Sequence, residues 1–150
     1  MQATAVILAA GLGTRMKSAL PKTLHRIAGR SMLRHLLASC EAVFDRIVVV
    51  VGPGMEAVQR EAAPHACVVQ QERLGTAHAA LAAAKQFGDG DVAVLYADNP
   101  LIRPETLHHL LQCRRAGDTR LALLAFRPTD PGRYGRVVVQ DGQVQRIVEW

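Results

Sequence analysis

At 150 residues, with 49% hydrophobic and 21% charged side chains, the chain has the size and composition of one domain that buries roughly two thirds of its unfolded surface, which excludes disordered, collagen-like and disulfide-scaffold classes. Its formal charge of +5 is local: Arg15, Lys17, Lys22, Arg26, Arg30 and Arg34 occur within the first forty residues with no Asp or Glu, while the remainder carries a net −1, so the cationic field calls for an anionic partner. The few aromatics do not interleave with the basic stretch, which argues for a small phosphorylated ligand and against nucleic acid.

The first element is Ala5-Val6-Ile7-Leu8, a continuous apolar run that predicts a strand buried on both faces. A loop from Gly11 to Lys22 follows, with Pro21 inside it. Met32, Leu33, Leu36, Leu37, Cys40 and Val43 recur at helical spacing behind Ser31, which suits an N-cap. Ile47 to Val51 is an unbroken β-branched run stopped by Gly52-Pro53-Gly54 and reads as a second strand. The alternation continues with a helix near 55–62, a strand at Cys67-Val68-Val69, a helix from about Ala77 to Phe87, and a strand from Val92 to Tyr96. Pro104 opens a helix running to about Arg115, and Leu121 to Phe126 predicts a further strand. Arg136 to Gln140 and Gln143 to Trp150 flank Asp141-Gly142, the pair favoured by a type I′ hairpin turn.

Strands separated by helices demand right-handed crossovers. The expected fold is therefore a Rossmann-like α/β domain, an open and mostly parallel sheet with helices on both faces and a C-terminal β-hairpin. No repeat or linker divides residues 1–150. In such sheets ligands bind beyond the carboxyl ends of the strands. That rule singles out the Gly11 loop, Gln70 to Thr76, and Ala97-Asp98-Asn99.

The segment Leu8-Ala9-Ala10-Gly11-Leu12-Gly13-Thr14-Arg15-Met16 places two glycines directly after the first strand, where main-chain amides can converge on phosphate oxygens. A dinucleotide fingerprint needs a third glycine where Met16 stands, and a P-loop needs Gly-Lys-Ser/Thr after four residues. Neither pattern fits. A Gly-x-Gly turn alone is equally a tight surface turn. Here a buried strand precedes it, and Arg15 and Lys22 follow it, Arg15 as a bidentate clamp and Lys22 as a movable point charge behind Pro21. Together they point to phosphate binding.

Apolar runs fall short of the ~20 residues a bilayer crossing needs, and the N-terminus has no charged lead of a secretion signal. Cys40, Cys67 and Cys113 are widely spaced within apolar segments and fit neither a disulfide framework nor a zinc motif. A reducing cytoplasm without membrane partner is expected. His25, His35, His65, His78, His108 and His109 show no metal-ligand spacing. Ser18, Ser31 and Ser39 lack a nucleophile-elbow context, so hydrolase readings gain no support.

The segments LAAGLGTRM and LPK resemble the signature of sugar-phosphate nucleotidyltransferases. KTLHRIAGRSML, QQERLGTAHA, YADNPL and RYGR are similar, in order and spacing, to the N-terminal domain of the bacterial bifunctional N-acetylglucosamine-1-phosphate uridylyltransferase and glucosamine-1-phosphate acetyltransferase family. The resemblance covers essentially the whole chain. It implies transfer of UMP from UTP to N-acetylglucosamine 1-phosphate with release of pyrophosphate, for cell-wall precursor synthesis. Such chemistry requires mainly that two polyanions be aligned and their charge neutralised.

By matched position the resemblance assigns the catalytic phosphate contacts to Arg15 and Lys22. It gives the nucleotide to Leu8, Ala9, Ala10, Gly11, Gly13, Gln70, Gly75 and Thr76, the sugar to Tyr96, Ala97, Gly135 and Glu149, and Mg²⁺ to Asp98. A carboxylate at a strand's carboxyl end suits Mg²⁺, which takes few protein ligands and borrows the rest from phosphates and water; a cap or loop aspartate is the alternative. The Gln70 amide both donates and accepts, matching N3–H and O4 of uracil. A polar loop opening a helix with Thr76 as its cap explains the same residues equally well. Two departures stand out: Ala97 replaces the glycine that usually precedes the aspartate, and Arg133 replaces the first glycine of Gly-Tyr-Gly-Arg. In the resembling family the domain continues with an asparagine metal ligand and a further sugar contact, and a β-helix acetyltransferase domain that forms a homotrimer follows. The expectation for these 150 residues is nucleotide binding with reduced turnover.

Overall fold

Strand β1 (Ala3–Leu8) is the hub of the sheet. In the computed structural model, which describes residues 2–11, 13 and 16–149, β1 is followed by a 3₁₀ turn at Lys22–Leu24 and a short antiparallel ribbon of β2 (Arg26–Ile27) and β3 (Arg30–Ser31). Helix α1 (Met32–Glu41), strand β4 (Arg46–Val51), helix α2 (Glu56–Ala62), strand β5 (Ala66–Val69), helix α3 (Thr76–Ala82), strand β6 (Asp91–Tyr96) and helix α4 (Pro104–Arg115) come next. Strands β7 (Arg136–Gln140) and β8 (Gln143–Val148) close the chain. Two compact units result, Met1–Gln112 and Cys113–Trp150.

The first unit holds a parallel sheet in the order β5-β4-β1-β6. From β1 the chain steps outward through β4 to β5, then returns to the far side of β1 as β6, so the strand order reverses between β1 and β6. A crevice opens beyond the carboxyl ends of strands at such a reversal. There Leu8 is level with Val50 on one neighbour and with Tyr96 on the other.

Two-residue periodicity divides each strand between two layers. Ala5 and Ile7 of β1, Val49 and Val51 of β4, and Ala93 and Leu95 of β6 face one core with Leu33, Leu36, Leu37 and Cys40 of α1, Val58 and Ala62 of α2, and Leu107 and Leu111 of α4. Val6, Val48 and Val50 face the opposite layer, closed by Ala79 of α3 and by Ala83. The continuous apolar runs are explained: both faces of β1 and β4 are covered.

Helix α1 starts where the sequence indicates. Ser31 Oγ accepts the Arg34 N–H at 3.1 Å and donates to Glu61 Oε1 at 2.6 Å, joining the start of α1 to α2. The hairpin turn also follows expectation, with positive φ at Asp141 (51°) and Gly142 (76°), as a type I′ turn requires.

Two expectations need correction. The helix predicted over 77–87 ends at Ala82, because the Ala83 N–H turns to the Ala80 and Leu81 carbonyls and the chain tightens into a 3₁₀ turn at Ala84–Gln86. Leu121 to Phe126 forms no strand: among the described residues no ladder pairs with them, and Leu121, Leu124 and Phe126 are exposed. An apolar run makes a strand only where another strand supplies the hydrogen bonds, and this one also lacks the β-branched residues that favour strands.

Candidate functional site

Main-chain hydrogen bonds fix the carboxyl end of β1. The Ala9 N–H donates to Val50 O at 2.7 Å, and the Ala97 N–H donates to Leu8 O at 3.1 Å. Gly13 has φ +61°, and a Cβ there would lie 2.7 Å from the Lys22 Cβ. A side chain at this position would meet both a disfavoured backbone conformation and a collision. Glycine lets Lys22 reach the loop.

Lys22 Nζ lies 2.7 Å from Asp98 Oδ2, with both side chains a little over one third exposed. Asp98 follows β6, in a tight turn closed by the Asn99 N–H on Tyr96 O at 3.1 Å. The cation singled out for phosphate and the carboxylate singled out for a metal thus form an ion pair. Separated by 76 positions in the chain, they meet because β1 and β6 are neighbours.

The opposite wall comes from the end of β5. The Gln70 N–H donates to Val51 O at 2.8 Å and extends the ladder by one residue. Its side chain, 3% exposed, directs Nε2 to His78 Nδ1 at 3.0 Å and to Gly75 O at 3.4 Å. Gly75, at φ 101°, precedes α3, and no side chain caps that helix. Thr76 is therefore the first helical residue and not the cap.

These walls enclose a cavity of about 380 Å³, a volume in the range of small-molecule sites. Leu8, Ala9, Ala10, Gly11, Gly13, Gln70, Gly75 and Thr76 all line it, as do Lys22, Tyr96 and Asp98. Ala97 does not. It is 1% exposed and packs in the hydrophobic core, so its methyl is accommodated away from the cavity. Arg15 lies outside the described residues. Gly135 and Glu149 belong to the second unit, where a Cβ on Gly135 would lie 3.3 Å from Glu149 Oε2.

Sequence reasoning missed Met16, Thr23, Arg73 and Ala79 on the cavity wall. Arg73 could have been found, since it is the basic residue within the segment that follows β5. The Arg73 Nε–H donates to Ala10 O at 2.9 Å. Thr23, 5% exposed, keeps a buried hydroxyl without a partner among the described residues.

No cysteine is among the described residues that line the cavity. Burial, reinforced by neighbouring Glu41, pushes the Cys40 thiol up to about 12, and burial also raises Cys67. Among the described residues no group of three His, Cys, Asp or Glu side chains is gathered for a metal, and no helix is long and apolar enough to cross a membrane.

The family model for the MobA-like NTP transferase domain matches residues 5–145. The chain belongs to this nucleotidyltransferase family. It is 67% identical to a bifunctional protein GlmU of Gluconacetobacter diazotrophicus, over 99% of this chain and 33% of the relative. It is 66% identical to one of Granulibacter bethesdensis, over 98% of this chain and 34% of the relative. The chain thus spans about a third of the length of these relatives. Among solved structures it is similar to a CMP:2-keto-3-deoxy-manno-octonic acid synthetase complexed with CTP, at a TM-score of 0.62 and 26% identity, over 81% of this chain and 50% of that one.

Proposed function

We propose that the cavity binds UTP and that the parent protein transfers UMP to N-acetylglucosamine 1-phosphate, forming UDP-N-acetylglucosamine and pyrophosphate. One observation carries the reading: glycine-loop backbone, Lys22, Asp98 and Gln70 share a single cavity at the sheet's switch point. The motif resemblance supports the choice of uridine and of the amino sugar.

In this reading a phosphate oxygen of the sugar phosphate attacks the α-phosphorus of UTP and the bond to pyrophosphate breaks. The loop around Gly11 and Gly13 holds the triphosphate through main-chain N–H groups, which need no reorganisation as charge builds up. Lys22 leaves Asp98 to neutralise phosphate oxygens, and Arg15 joins it from the same loop. Gln70 has its nitrogen committed to His78 and Gly75; what it offers a uracil is the carbonyl oxygen, as acceptor for N3–H. Gly75 and Thr76 border the base. Tyr96, which lines the cavity, is proposed to border the sugar; for Ala97, Gly135 and Glu149 a sugar contact is supported by the motif resemblance alone.

The donor set fits a hard cation brought in with the nucleotide, since Asp98 is the one carboxylate among the described residues lining the cavity and such a cation takes its remaining ligands from phosphates and water. Asp98 would hold Mg²⁺, which when bound neutralises phosphate charge and polarises the phosphoryl oxygens. The parent protein is proposed to be cytoplasmic, to serve cell-wall precursor synthesis, and to trimerise through an acetyltransferase domain. For the 150 residues here we propose nucleotide binding with slow turnover.

Pyrophosphate release with UTP, N-acetylglucosamine 1-phosphate and Mg²⁺ tests the reading. Slow release that requires both substrates supports it. The similarity to a structure complexed with CTP makes a sister transferase the competing reading, and release with CTP, dTTP or GTP but not with UTP decides for it.

A further inference from the structure

We infer that Arg73 is a positioning residue that sets the orientation of the Ala10–Gly11 peptide and so prepares the glycine loop for phosphate. The inference rests on the reading of the cavity as a nucleoside triphosphate site. Arg73 stands on the β5–α3 wall and reaches across the cavity rim, over 63 positions of sequence, to donate its Nε–H to Ala10 O at 2.9 Å. Ala10 is the first residue past the ladder bonds that hold Leu8 and Ala9. Among the described residues no main-chain bond holds its carbonyl, and Arg73 supplies that restraint.

The peptide unit is planar and trans, which makes the Ala10 C=O and the Gly11 N–H point in opposite directions. Holding the carbonyl toward Arg73 therefore directs the amide away from it. If the peptide flips, a carbonyl stands where a donor is wanted, and an anion meets negative charge in place of an N–H.

A second feature shows that the guanidinium has a built seat. Gly52, at the end of β4, has no positive φ to explain it. A Cβ there would collide with Arg73 Nη2 and lie 3.0 Å from Cζ. Glycine at 52 leaves the space that the arginine fills. Three segments, the ends of β1, β4 and β5, thus meet at one planar side chain, and the fork geometry of arginine suits this seat better than a lysine does.

The test uses Arg73→Gln, Arg73→Lys and Gly52→Ala, with calorimetric affinity for UTP and for uridine and with the ¹H–¹⁵N resonance of Gly11. Loss of one charge-assisted hydrogen bond is expected to weaken UTP binding about tenfold in Arg73→Gln. Uridine, which carries no phosphate, should lose less than about twofold. The Gly11 amide resonance should move in the ligand-free protein. Gly52→Ala, by displacing the guanidinium, should reproduce both effects, and Arg73→Lys should remain impaired.

An unmoved Gly11 resonance with unchanged UTP affinity overturns the inference. So does an equal loss for uridine and UTP, which would place Arg73 in base binding, or full recovery by lysine, which would make charge alone responsible. If the wild type binds CTP, dTTP or GTP in place of UTP, the uridine reading fails and the same comparison is made with that nucleotide and its nucleoside. If it binds none of them, the triphosphate reading fails, and the Gly11 resonance in the variants still decides whether Arg73 holds the peptide.

Discussion

The two rims of the cavity are built from different materials. On the β1–β6 side the chain presents main-chain groups around glycines and, among the described residues, the Lys22–Asp98 ion pair, beside the side chains of Met16, Thr23 and Tyr96. The β5–α3 side presents a buried amide held by His78 and Gly75 and an arginine seated over Gly52. The first construction suits a polyanion, which needs charge and many donors but little shape. The second suits discrimination, because a buried amide with fixed orientation rewards one pattern of donors and acceptors and penalises others.

Substitutions on the two rims are therefore expected to fail in different ways. Lys22→Ala should have the largest effect, lowering kcat by about 10²–10³, as when one preorganised transition-state donor is removed. Steady-state pyrophosphate release measures it, and an unchanged kcat would break the comparison at its strongest point. Gly13→Ala comes next: left-handed strain of about 1–2 kcal/mol joins the close approach to Lys22 Cβ. Calorimetry should show about tenfold weaker UTP binding while affinity for uridine is retained.

Gln70→Ala should act on discrimination. The preference for UTP over CTP is expected to fall by about tenfold, with a smaller change in kcat, since a lost base contact is worth about 1–3 kcal/mol. A uniform loss with every nucleotide would mean that Gln70 only supports the wall. Thr76→Ala should be mildest. Gly75, not Thr76, is at the N-cap, and the thermal midpoint should change by no more than a surface substitution does, within about 0.5 kcal/mol. A loss of about 1 kcal/mol would restore the capping role to Thr76.

How far the sequence reveals each rim follows from the same contrast. The phosphate rim is largely local in sequence: a buried run, two glycines and nearby cations lie within a short stretch, and glycine reports its own conformational demand. Even so, the Lys22–Asp98 pair spans 76 residues, and only the adjacency of β1 and β6 explains it. The base rim depends on longer-range packing. The sequence shows Arg73 as the basic residue of the segment after β5, but nothing near Gly52 in sequence indicates that its hydrogen leaves room for that guanidinium.

The fold shows a parallel lesson. Strands β1 and β4 are legible because both faces are buried, which leaves an unbroken apolar run. Leu121 to Phe126 is as apolar but has no β-branched residue and no ladder partner among the described residues, and forms no strand. Helix α3 shows how weakly its end is encoded. An alanine-rich run favours helix without saying where it stops, and the stop is set by the turn after Ala82.

A crystal structure of the protein with UTP and Mg²⁺ shows which rim takes the phosphates. The triphosphate is expected against the Gly11 and Gly13 backbone with Lys22 drawn from Asp98 onto phosphate oxygens, and the uracil against Gln70 and Gly75. Nucleotide bound elsewhere, or lodged here with its base at the glycines and its phosphates at Gln70, would contradict that placement.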